Sequence, residues 1–88
     1  MSVTIFVEGL PHHFREEHLL NLFGEFGVVR RAFVATRRSG QSLGFGYVVF
    51  SDMTKAQRAV RSLNGVVIMG KTLTVYIGES ANPQADTG

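Results

Sequence analysis

The chain has 88 residues, nine of them Lys or Arg and seven Asp or Glu, with a net charge of +2, 44% apolar residues and no Cys. That length fits one domain, and the apolar share is that of a globular chain rather than a disordered one. Without Cys there are no disulfides, thiolate metal sites or Cys nucleophiles. No apolar run approaches the roughly 18 residues of a membrane span.

Val3, Ile5 and Val7 alternate with Thr4, Phe6 and Glu8, which predicts a strand with one face toward a core. The start, Met-Ser-Val-Thr-Ile-Phe, has no basic region leading into an apolar stretch. A secretory signal is therefore not expected, and the reading is of an intracellular chain of unknown compartment. Leu19, Leu22 and Phe23 have helical spacing, behind Glu16 and Glu17 that suit the positive first turn. Arg15 before them cannot cap as Ser or Asp would. Gly24 is expected to stop the helix in a left-handed conformation.

Val28 to Thr36 reads as a second strand, with Ala32 and Val34 on one face and Arg31 and Phe33 on the other. Residues 37–42 form a polar loop, and Leu43 to Phe50 a third strand. Asp52 is the expected N-cap of a second helix, Met53 to about Leu63, with Ala56, Ala59, Val60 and Leu63 inward. Asn64-Gly65 stops it. Val66 to Met69 reads as a short hairpin arm, and Thr72 to Ile77 as the last main strand, with Leu73, Val75 and Ile77 inward. Residues 80–88 contain no large apolar residue and read as a mobile tail behind a domain spanning 1–79.

The order strand, helix, strand, strand, helix, strand predicts an α+β, ferredoxin-like β-α-β-β-α-β sandwich. In it a four-stranded antiparallel sheet, in the order fourth, first, third, second, carries both helices on one face. The other face should be polar. Here it would carry Phe6, Phe33, Leu43, Phe45, Tyr47, Val49, Thr74 and Tyr76. An exposed apolar patch of this kind marks a binding surface. Flat rings beside cations suit single-stranded nucleic acid, whose bases stack while its phosphates meet Arg and Lys. Arg30, Arg31, Arg37 and Arg38 fall in a stretch from Gly27 to Gly44 that has no acid. Gly46, between Phe45 and Tyr47, points inward and is expected to let the strand approach the helices.

Leu43-Gly-Phe-Gly-Tyr-Val-Val-Phe50 resembles the eight-residue RNP1 signature of the RNA recognition motif (RRM) family, with seven of eight positions in agreement. Ile5-Phe-Val-Glu-Gly-Leu10 resembles the family's RNP2 signature. The resemblance runs from about Val3 to Ile77 and includes Leu19, Phe23, Phe26-Gly27, Ala56, Ala59 and Leu63-Asn-Gly65. It implies single-stranded RNA as partner, with bases stacked on Phe6, Phe45 and Tyr47. Phe33 and Tyr76 would extend this platform, and Arg31, Arg37, Arg38 and Lys71 would contact phosphates or bases. Leu43 stands where the family usually has Lys or Arg, so the family's phosphate salt bridge cannot form there, and Gly9 stands where Asn is common. The alternative is an RRM-fold module that docks a protein or a second copy of itself, with weak or no RNA binding.

No cofactor, metal, membrane or small-molecule substrate is expected. Gly44-Phe-Gly46 enters a strand and lacks the third Gly of a dinucleotide fingerprint. His12, His13 and His18 lack metal-pair spacing. No activated nucleophile or paired carboxylate appears, so catalysis is not expected.

Overall fold

The computed structural model describes residues 2–78. In chain order the elements are β1 (Val3–Glu8), α1 (Glu16–Phe23), β2 (Val29–Thr36), β3 (Ser42–Phe50), α2 (Met53–Leu63), β4 (Val67–Ile68), β5 (Lys71–Thr72) and β6 (Thr74–Ile77). The main sheet runs β2-β3-β1-β6, and every neighbouring pair is antiparallel. With β6 as the fourth main strand, this is the expected ferredoxin-like order. The expected tail over residues 80–88 lies outside the described residues. No helix among the described residues is long and apolar enough to cross a membrane.

Period-two alternation sends Val3, Ile5 and Val7 of β1, Val34 of β2, Val48 and Phe50 of β3 and Val75 of β6 into one core. Leu19 and Phe23 of α1 and Ala56, Ala59 and Leu63 of α2 close it from the other side. The two alanines let α2 lie close to the sheet, because a methyl is all that separates its backbone from the strands. Leu10, Phe14 and Leu73 fill the core from outside the regular elements.

Polar groups fix how the helices sit. The Asp52 carboxylate accepts from the Lys55 N–H at 3.2 Å, a cap for α2. At its far end the Asn64 side chain accepts from the Val75 N–H at 2.9 Å, fastening α2 to β6. At α1 the His18 Nδ1 accepts from the Arg15 N–H at 2.9 Å, a cap that runs backward from the helix. Glu16 turns away from the helix end and accepts from the Val34 N–H at 3.0 Å. That bond occupies a donor on β2, an edge strand.

Four sequence expectations need correction. Gly24 is not left-handed: its φ is −63°, and its N–H donates to the Leu20 carbonyl as one more helical bond. The second strand starts at Val29 and the third at Ser42, each one residue from the expected Val28 and Leu43. The last strand is split. Thr72 pairs with Val67 in the β4–β5 hairpin, and β6 starts only at Thr74, after Leu73 has dropped into the core. The hairpin turns at Met69 and Gly70, both with positive φ, as a tight two-residue turn requires. Finally, Gly46 does not serve the helix layer. A Cβ there would collide with the Phe33 carbonyl oxygen of β2. The close approach is between strands, next to a bulge between Val34 and Thr36.

Candidate nucleic-acid interface

The register builds a row of rings across the open face. Phe6 of β1 lies opposite Tyr47 of β3 on one side and Tyr76 of β6 on the other, and Tyr47 in turn lies opposite Phe33 of β2. Cross-strand partners share a face, so the order is Tyr76, Phe6, Tyr47, Phe33. The centroid distances along it are 5.8, 6.3 and 5.2 Å. Phe6 and Tyr47 meet edge to face and Phe33 stacks on Tyr47.

Phe45 stands one row away, opposite Glu8. It is the most exposed ring of the face at 49%, against 43% for Phe33 and 42% for Tyr76. Phe6 and Tyr47 are half-buried. They belong to the two central strands, and rings flank them on both sides. Gly78 also lies at the edge of Phe6, where any Cβ would strike that ring. The expected trio of Phe6, Phe45 and Tyr47 is thus one corner of a five-ring surface, and Phe33 and Tyr76 are continuous with it.

The start of β3 is shaped to present Phe45. Ser42 is buried, and its hydroxyl accepts from the Gly44 N–H at 2.9 Å. Gly44 has φ +95°, which a side chain would oppose. Its carbonyl accepts from the Leu10 N–H at 2.9 Å, tying the loop after β1 to this turn. Leu43 is exposed at 43% and offers no charge.

Arg31 is exposed on β2 opposite Val49, which faces Thr4. It therefore flanks the ring row on the same face. Arg37 and Arg38 are exposed in the β2–β3 loop, which is closed by the Arg37 N–H donating to the Gln41 carbonyl. Lys71 is placed apart, in the β4–β5 hairpin and outside the four-stranded sheet. Among the described residues no group of three or more His, Asp or Glu side chains could hold a metal.

Sequence reasoning missed Glu8. Alternation along β1 already puts it on the face of Phe6, but an acidic residue on an open sheet face reads as ordinary solvated surface. The Tyr76 hydroxyl donates to Glu8 Oε2 at 2.8 Å. That bond and the nearby negative charge raise the Tyr76 phenol above its ordinary value. Glu8→Ala is expected to move the Tyr76 ionisation down toward the ordinary phenol range. An ultraviolet phenolate titration in a Tyr47→Phe background reads it. An unmoved curve would mean that the Glu8–Tyr76 bond does not form in solution.

A family model described as RNA recognition motif matches residues 5–74, most of the chain. The chain belongs to the RNA recognition motif family. This RRM is 40% identical over 73 residues to spliceosome associated factor 3, U4/U6 recycling protein, of Danio rerio. It is 35% identical over 76 residues to polyadenylate-binding protein 6 of Arabidopsis thaliana. The alignments cover 83% and 86% of this chain but only 8% and 14% of those relatives, so it spans a small part of each. Among solved structures it is similar to RNA binding protein PG1, with a TM-score of 0.81 and 36% identity over 86% of this chain and 93% of that one. The RRM is an RNA-binding family, and single-stranded RNA is its partner class.

Proposed function

We propose that this RRM holds single-stranded RNA on the open sheet face, with bases stacked on Phe6, Phe45 and Tyr47 and phosphates met by Arg31, Arg37 and Arg38. Phe33 and Tyr76 extend the platform, and Lys71 is a peripheral contact from the hairpin. The observation that carries this reading is the exposed five-ring surface, over which no helix lies among the described residues, flanked by Arg31. Stacking accepts any base, because each has a flat π-face. The role is binding without catalysis, in the processing or regulation of RNA, and the two curated relatives named above support that setting.

The arginines substitute for the charge absent at Leu43. If about three of them neutralise phosphates, affinity falls roughly 20-fold between about 50 and about 200 mM salt, from a slope of about −0.7 per contact. Titration of a labelled single-stranded oligonucleotide at several salt concentrations measures that slope. A flat response would remove the arginines from the interface. Binding that is absent at every salt concentration, together with dimer mass in light scattering, would favour a self-docking module instead.

A further inference from the structure

Within the ring surface is a depression of about 280 Å³, lined by Phe6, Glu8, Gly44, Phe45, Gly46 and Tyr76. We infer that Glu8 makes this depression selective for guanine, its carboxylate accepting from the adjacent N1–H and N2–H donors of a base stacked on Phe45. The inference rests on the proposal that the sheet face binds RNA.

The geometry has three parts. Glu8 lies directly across from Phe45 on β3 and from Thr74 on β6, so its side chain rises beside whatever Phe45 stacks. The Tyr76 hydroxyl fixes the carboxylate by donating to Oε2 at 2.8 Å. Oε1 has no hydrogen-bond partner among the described residues, and each carboxylate oxygen has lone pairs to spare.

The chemistry then selects among bases. An ionised carboxylate only accepts hydrogen bonds. Guanine alone of the four common bases has two neighbouring N–H donors on its Watson–Crick edge, which a carboxylate meets in a bidentate fashion. Adenine and cytosine offer one amino group beside a ring-nitrogen acceptor, and uracil offers one N–H between two carbonyls. Each of those sets a lone pair against the carboxylate. The same negative charge repels the phosphate chain when no donor compensates it, so Glu8 weakens the wrong ligands as well as holding the right one.

The test uses short oligouridine RNAs carrying one central guanine, inosine, adenine or cytosine, or no substitution. The wild-type protein is expected to bind the guanine probe roughly ten-fold tighter than the adenine, cytosine and unsubstituted probes. Inosine, which lacks the N2 amino group, should lose most of that advantage. Glu8→Ala should reduce the guanine preference to under about two-fold while leaving binding of plain oligouridine as strong or stronger, since a negative charge has left the face. Glu8→Gln, which adds a donor, should move the preference away from guanine. Stacking variants lower every probe together and so read the platform separately. Equal wild-type affinity for all probes would overturn the guanine inference and leave RNA binding standing, as would a guanine preference that survives in Glu8→Ala. Failure of the wild type to bind any probe would overturn both.

Discussion

Phe45→Ala combined with Tyr47→Ala is expected to weaken binding of a short single-stranded RNA by about 2 kcal/mol or more, roughly 30-fold. Both rings project from β3 onto the open face, one at 49% exposure and the other between Phe6 and Phe33. Each stacked base contributes about 1–3 kcal/mol, so losing both rings removes most of a modest affinity. The fold should survive, because neither side chain belongs to the core. The cost in stability is the loss of the Tyr47 ring pairs with Phe6 and Phe33, on the order of 1 kcal/mol each. Fluorescence anisotropy with a labelled oligonucleotide measures the binding, and circular dichroism confirms the fold. Equal binding by variant and wild type would move the function to protein docking.

Phe50→Ala should do the opposite: spare the face and damage the fold. Phe50 ends the RNP1-like stretch, but parity on β3 sends it inward, where it is fully buried and meets Phe23 edge to face at 6.3 Å. Removing a buried Phe costs about 3–5 kcal/mol, from the lost transfer of the ring and the cavity left behind. Against a total stability of about 5–15 kcal/mol that is a large share. Urea unfolding should show a much lower midpoint. At a temperature where the variant remains folded, its RNA affinity should match the wild type. A small stability loss with a large affinity loss would place Phe50 on the binding face and contradict the register.

The fold was legible because its local signals agree. Alternation in β1 and β2, the Asp52 cap and the Asn64-Gly65 stop each point to one architecture, and the core is built from inward positions of the strands and helices. The ring row was legible for the same reason: parity alone puts Phe6, Phe33, Tyr47 and Tyr76 on one face. What was not legible depends on tertiary geometry. Residue type alone points Gly24 to a left-handed turn, while the chain continues in helical conformation. An inward Gly46 suggests a helix to accommodate, while the bulged backbone of β2 is what occupies the space. Leu73 separates β5 from β6 because a buried side chain interrupts the run, which β propensity does not reveal. Glu8 was missed because its significance lies in a bond to a residue 68 positions away in sequence.

On the proposed function, the open sheet face, and not the helical face, receives the ligand. A chemical-shift map of the isotope-labelled protein titrated with a short single-stranded RNA tests it most directly. Shifts are expected to concentrate on Phe6, Glu8, Phe33, Phe45, Tyr47 and Tyr76, with Arg31 at the border. Shifts confined to α1, α2 and the β4–β5 hairpin would contradict it.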